Sequence, residues 1–237
     1  MKLSIIIPIF NKWKFTQSCL NDLKHLPEDT HEIIVVDNAS SDGSKVEIEM
    51  LALRMKNLTY IRNEQNVGFA AACNQGFSAS SGEKVMFLNN DIRVESDHST
   101  WTQPIIEAED NNLIGPTGGL VDPANNFQFV YETGDSAKKI NYMGGWCLTA
   151  SRETWSKLHL PREQTATGMP LAQVFSEEFG LAYFEDTDVG FRAKRLGIGF
   201  KIIPIPVIHF GKVSSGQINT YELYNKARKI FIQKWKK

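Results

Sequence analysis

Ile33-Ile34-Val35-Val36-Asp37-Asn38 is an apolar run that stops on a carboxylate and an amide, and Phe87-Leu88-Asn89-Asn90-Asp91 repeats the pattern further along. Short apolar runs with polar stops read as buried strands, so Asp37 and Asp91 fall at carboxyl ends of strands, where open α/β sheets bind ligands. A later acidic group, Phe184-Glu185-Asp186-Thr187-Asp188, points to chemistry as well as binding. Working outward, Leu3 to Ile9 is a further apolar run with Pro8 near its end, followed by Phe10, Asn11 and an amphipathic stretch over 12–26. The pattern predicts strands near 3–9, 32–37, 58–62 and 84–89, alternating with helices near 12–26, 43–55 and 67–79. That rhythm implies right-handed crossovers and a mainly parallel, Rossmann-like α/β sheet with helices on both faces. After Asp91 the rhythm breaks. Gly115-Pro116-Thr117-Gly118-Gly119, Asp122-Pro123 and Asn125-Asn126 are turn signals between short β-like pieces, so the second half reads as mixed.

Composition bounds the class. The 237 residues are 42% hydrophobic, enough for a sizeable core in one large domain. The strand-and-helix rhythm gives a nucleotide-binding half over 1–91, a mixed half over 92–217 and a basic C-terminal helix over 218–237. No window approaches the roughly 18 apolar residues of a membrane span, and the first residues enter a strand without a leader pattern. The expectation is therefore a soluble, cytoplasmic protein. A formal net charge of −1 argues against general nucleic-acid binding. Cys19, Cys73 and Cys147 lack metal-ligand spacing and read as reduced, buried thiols.

The first turn carries Pro8-Ile9-Phe10-Asn11 where a dinucleotide-binding unit would need glycines, so a base stacked near Phe10 is the sharper reading. Five segments in order then carry a resemblance: Ile6 to Asn11, Val35 to Ser44, Asn66-Val67-Gly68-Phe69 on to Gly76, Leu88-Asn89-Asn90-Asp91, and Glu185-Asp186-Thr187-Asp188-Val189-Gly190-Phe191-Arg192. Together they resemble the motifs of family 2 glycosyltransferases with the GT-A fold, over about residues 2–235. The resemblance implies an inverting hexosyltransferase. It would use a nucleotide-diphosphate sugar, UDP or dTDP favoured, to extend a glycan or lipid-linked glycan in surface polysaccharide synthesis. Such an enzyme uses Mn2+ or Mg2+.

Individual residues take roles on that frame. Asp37 accepts hydrogen bonds from a pyrimidine or ribose; the alternative is an Asx turn, with Asp42 capping the next helix. Pro8, Phe10, Asn11, Gly68, Asn74, Asn89 and Asn90 complete the expected nucleotide site, Gly68 by permitting close backbone approach. Asn89-Asn90-Asp91 stands where the family carries Asp-X-Asp, which makes Asp91 the metal ligand by resemblance, joined by His209; two amides in place of a carboxylate depart from that pattern. Asp186 is the base by resemblance, and Glu185 orients the acceptor or takes the base's place. For Asp188 the helix dipole and a pair with Arg192 suffice. Gly145 and Trp146 are expected at the acceptor, Trp146 stacking on a sugar or else serving as core. Residues 161–182 read as a segment folding over the site. The helix from Tyr221 either packs on the domain with a solvated basic face or lies on an anionic membrane surface. A non-catalytic nucleotide- or glycan-binding module on the same fold is the alternative function, and a nucleotidyltransferase is a weaker one.

Overall fold

The computed structural model describes residues 1–160, 173–211 and 220–236. The first half follows the expected rhythm: β1 (Leu3–Ile9), α1 (Trp13–Leu23), β2 (His31–Asp37), α2 (Ser44–Ala52), β3 (Leu58–Arg62), α3 (Phe69–Ala79) and β4 (Lys84–Leu88). Strands β3, β2, β1 and β4 lie side by side in parallel, in that order. Every residue of β1 is buried, because helices cover both faces. Ile5, Ile7 and Ile9 face one way, with Cys19 and Leu20 of α1 and Ile48 of α2. Ile6 faces the other, with Ala72, Cys73 and Phe77 of α3. The period of two in the strand meets the period of 3.6 in each helix, and the sheet becomes the middle layer of three. All three cysteines are free and buried.

Beyond Asp91 come β5 (Ile92–Val94), α4 (Gln103–Ile106), β6 (Asn112–Gly115), β7 (Gly118–Asp122), β8 (Gln128–Thr133), β9 (Tyr142–Met143), β10 (Cys147–Ser151), α5 (Arg152–Lys157), α6 (Glu185–Arg195), β11 (Gly199–Ile202), β12 (Val207–His209) and α7 (Thr220–Trp235). Three of these strands extend the central sheet to seven, in the order β3-β2-β1-β4-β10-β6-β11. β10 alone runs antiparallel, between β4 and β6. That reversal brings the loop entering β10 to the same edge as the carboxyl ends of β1, β2 and β4, so residues 144–146 join the ligand-binding rim. β8, β7 and β9 form a separate antiparallel sheet, and β5 pairs with β12.

Asp42 extends the capping role expected of it. Its Oδ1 accepts from the Ser44 backbone N–H at 3.3 Å and hydroxyl at 2.5 Å, while Oδ2 accepts from the backbone N–H of Trp13 at 2.8 Å. One carboxylate thus satisfies orphan donors at the starts of α1 and α2 together. The amphipathic C-terminal helix packs on the domain: Ala227, Phe231 and Trp235, spaced four apart, are buried with Phe127, Phe179 and Phe184. Lys234 departs from the expected solvated basic face, since its ammonium lies 2.9 Å from Asp188 and 2.5 Å from Glu178. No helix of the described residues is long and apolar enough to cross a membrane.

Candidate active site

A cavity of about 390 Å³ opens at the carboxyl rim, and Asn89, Gly145, Trp146, Glu185, Asp186 and His209 are among the residues that line it. Six of the expected site residues, distant in sequence, therefore share one wall. Pairing of β5 with β12 sets His209 opposite Ile92 and so beside Asp91. His209 Nε2 stands 3.2 Å from Asp91 Oδ1 and 3.3 Å from the Asn89 amide nitrogen. Asp91 Oδ1 is buried and closes no hydrogen bond. With the Asn89 amide donating to Nε2, that ring nitrogen and Oδ1 are two electron pairs facing each other. A divalent cation suits that arrangement, and the imidazole nitrogen and carboxylate are suitable donors. Among the described residues no cluster of three or more His, Cys, Asp or Glu surrounds such a point, where Asp91 and His209 stand as a pair.

Trp146 belongs to this group. Its indole stacks on the His209 ring at 4.8 Å between centroids and 7° between planes, and its Nε1 donates to Thr117 Oγ1 at 2.9 Å. Trp146 is therefore neither plain core nor free to offer both faces to a sugar. The backbone N–H of the preceding residue, Gly145, donates to Asp186 Oδ2 at 3.0 Å, and Thr187 N–H donates to Oδ1 at 2.6 Å.

Asp186 and Glu185 open α6, and the same helix is held from both sides. Gly190 lets it lie against β9, since a Cβ there would sit 2.6 Å from Asn141 O and Tyr142 Cα. Asp188 is fully buried; Arg192 Nε and Trp235 Nε1 each donate to it at 2.9 Å. Burial raises the pKa of both Glu185 and Asp186 above the usual carboxylate range. The charge of Asp186 raises Glu185 further, to about 8, while N–H donation from Thr187 and Gly145 offsets part of the rise at Asp186. Paired carboxyls poised this way mark acid–base sites.

The expected nucleotide residues divide. Phe10 is half-buried just beyond β1, and Asn11, at φ 56°, is tied to the loop after β2: its N–H donates to Ser40 Oγ at 2.7 Å and its Oδ1 accepts from Ser41 N–H at 2.7 Å. Pro8 is buried within β1. Asp37 is fully buried and already engaged, by Ser40 N–H at 2.8 Å, by the Tyr60 hydroxyl at 2.7 Å and by the Arg62 guanidinium. The backbone donor lies three residues on rather than the two of an Asx turn, and it belongs to a wider network. Sequence reasoning passed over Arg62, although a cation ending β3 in register with Asp37 ending β2 was a readable signal.

Three expectations are corrected. Asn74 does not face the rim: its Oδ1 accepts from Val174 and Phe175 N–H, both at 3.0 Å, and its Nδ2 donates to Phe175 O at 2.9 Å and Glu177 at 2.8 Å, so the buried amide has nothing left for a ligand. Asn90 turns to α1 and donates to Thr16 Oγ1 at 2.8 Å. Gly68, at φ 91°, does allow a close backbone approach, but the partner is this chain: a Cβ would meet Gly180 O at 2.7 Å. Of the segment expected to fold over the site, 161–172 lies outside the described residues, and 173–182 comprises a bend and the short 3₁₀ turn Glu177–Phe179, against which Asn74 and Gly68 pack.

The seven-stranded sheet with its single antiparallel member has the GT-A arrangement, and comparison with known proteins agrees on that fold. The chain belongs to glycosyl transferase family 2, whose family model matches residues 4–142. It is 31% identical over 137 residues to the glycosyltransferase AglE of Haloferax volcanii, covering 57% of this chain and 42% of that protein. It is 30% identical over 100 residues to a poly(ribitol-phosphate) beta-glucosyltransferase of Bacillus spizizenii, 41% of this chain and 16% of the relative. The chain thus spans less than half the length of the curated relatives it matches. Among solved structures it is similar in fold to the mannosyltransferase PcManGT of Pyrobaculum calidifontis, in complex with GDP-Man and Mn2+. There the TM-score is 0.61 at 17% identity, over 86% of this chain and 55% of that one. GalNAc-T7 with UDP, GalNAc and Mn2+ gives 0.66 at 15% identity, over 88% and 43%.

Proposed function

We propose that this chain transfers a hexose, with inversion, from a nucleotide-diphosphate sugar to a hydroxyl of a glycan or lipid-linked glycan acceptor. The observation that carries it is a path of contacts from Asp91, just behind the cavity, through His209, Trp146 and Gly145, which line it, to Asp186. A diphosphate-binding end and a general base are then adjacent, as a single displacement requires. Asp91 and His209 would hold Mn2+ or Mg2+, which when bound offsets charge on the departing diphosphate. Asp186 removes the acceptor proton; its raised pKa makes it a stronger base than a solvated carboxylate. Glu185, beside it and largely protonated near neutral pH, is able to donate a hydrogen bond to the acceptor. Phe10 and the loop around Asp37 and Arg62 receive the base, for which a pyrimidine, as UDP or dTDP, is the reading. Surface polysaccharide synthesis is the setting this reading favours.

The test is calorimetry of nucleoside diphosphates and their sugars with and without Mn2+, followed by transfer assays. Asp186→Asn is expected to retain donor binding and lose transfer. A folded protein that binds no nucleotide sugar would overturn the proposal in favour of a glycan-binding module.

A further inference from the structure

The far half of the cavity has a different character from the half the mechanism uses. Past Asp186 the chain runs back through Phe184 and Tyr183, which hold φ 68° and 81°. Left-handed backbone is rare for bulky residues, and two aromatics in succession are a marked outlier of the kind that concentrates at functional sites. The consequence is directional. Both rings turn to Tyr224 of α7, at centroid distances of 5.7 Å for Tyr183 and 5.3 Å for Phe184, and all three line the cavity. Phe129 of β8, 56% exposed, lines it as well.

Charge is the second, independent observation. Among the described residues that line the cavity, none is Lys or Arg, whereas the carboxylates of Glu132 and Asp186 are present beside the protonated Glu185. Glu132 is close enough for its charge to raise the pKa of Asp186. A ligand carrying a carboxylate or phosphate next to its reactive hydroxyl would meet like charge, with no Lys or Arg among the described lining residues to offset it.

A chain of contacts and neighbouring residues leads from the Asp91–His209 pair to this corner. Contacts run Asp91, His209, Trp146, Gly145, Asp186, and then Glu185, Phe184, Tyr183 and Tyr224. In a one-step displacement the acceptor enters opposite the leaving diphosphate, hence from the aromatic end. We infer that the Tyr183–Tyr224 corner is the acceptor subsite, and that it takes an uncharged pyranose, whose apolar C–H face lies on the rings while its hydroxyl reaches Asp186. The inference rests on the function proposed above and narrows its acceptor class to neutral glycans, excluding uronic acids and polyol phosphates.

The experiment first identifies a nucleotide sugar that the protein slowly hydrolyses in water, with no acceptor present. Matched alkyl glycosides are then offered, each neutral pyranoside beside its uronic-acid counterpart, together with ribitol phosphate. Neutral members are expected to be used at least tenfold better. Tyr224→Ala should raise the acceptor KM about five- to tenfold while the donor KM does not follow, and Tyr224→Phe should retain most of the affinity, as loss and retention of one ring contact predict. Glu132→Gln should narrow the discrimination against the anionic members. Hydrolysis with uronides or ribitol phosphate used equally well, hydrolysis with no neutral acceptor used, or an unchanged acceptor KM in Tyr224→Ala would each overturn the inference alone. Absence of any donor binding or hydrolysis would take down the proposed function, and this inference with it.

Discussion

The Gly145 backbone N–H donates to Asp186 Oδ2 at 3.0 Å, and a methyl group on Gly145 would sit 3.0 Å from Asp186 Cβ and 3.1 Å from that same oxygen. Glycine is used here because it lets the loop before β10 touch the carboxylate that opens α6. Gly145→Ala should therefore leave the fold intact and push Asp186 by a few tenths of an ångström. Since misplacement on the ångström scale costs up to about a hundredfold, a fall in kcat of roughly tenfold is expected, with donor binding unchanged. Steady-state kinetics beside donor calorimetry checks it, and an unchanged kcat would deny Asp186 the role of base.

Burial of Glu185 and Asp186 makes both activity and stability depend on pH. The base must be ionised, so kcat/KM should fall as pH drops through the raised pKa of Asp186, with its acid limb above the ordinary carboxylate range of about 4. Stability runs the other way. A carboxyl whose folded pKa exceeds its unfolded value binds more protons when folded, so stability falls as pH rises between the two. For Glu185 that window runs from about 4.3 in the unfolded chain to about 8 in the fold. Glu185→Gln should accordingly melt higher than the parent at pH 8.5, with the gain vanishing near pH 4. Melting curves at the two pH values decide it, and a gain that is equal at both would mean that the charge is not the cause.

How much of this was legible in the sequence depends on the range of the interaction. Strands β1 to β4 and helices α1 to α3 carry their own periods, so each was readable from a dozen residues. The strand ends bearing Asp37 and Asp91 followed directly. What could not be read locally is the insertion of β10 between β4 and β6, because strand order is a property of long-range pairing. Asn74 failed for the same reason: on a helix of small residues it looks available, and only residues a hundred positions later occupy it. Tyr183 and Phe184 gave no sign of left-handed backbone, since neither residue type favours it.

Asp91 and His209 make a sharper prediction than the motif that suggested them. With only these two protein ligands among the described residues, Mn2+ should bind weakly alone and tightly once a nucleoside diphosphate adds its oxygens. Calorimetry should show Mn2+ and nucleotide each raising affinity for the other by one factor, since coupling is reciprocal. Asp91→Asn should remove most of that coupling. His209→Ala should remove part of it and also release the stacked Trp146 indole, seen as a change in tryptophan fluorescence. Metal-independent nucleotide binding in the parent would contradict the site.

Asp188 joins α6 to α7, and the stability of that joint is the last prediction. Its fully buried carboxylate receives Arg192, Lys234 and Trp235, so removing it leaves the Arg192 guanidinium without its ionic partner and the Trp235 N–H without an acceptor, while Lys234 keeps Glu178. Breaking a buried pair from one side costs about 3 kcal/mol, which for a domain of this size lowers Tm by roughly 10 °C. Asp188→Ala should show that loss. Trp235→Phe keeps the ring packing against Phe191 and Arg195 and gives up one hydrogen bond, so its cost should be nearer 1 kcal/mol. Because α7 carries Tyr224, both variants should also weaken acceptor binding in proportion to the destabilisation, while donor affinity, set at the other end of the cavity, stays as it was. A variant that melts normally, or one whose donor affinity falls with its acceptor affinity, would show that α7 is not tied to the catalytic helix through Asp188.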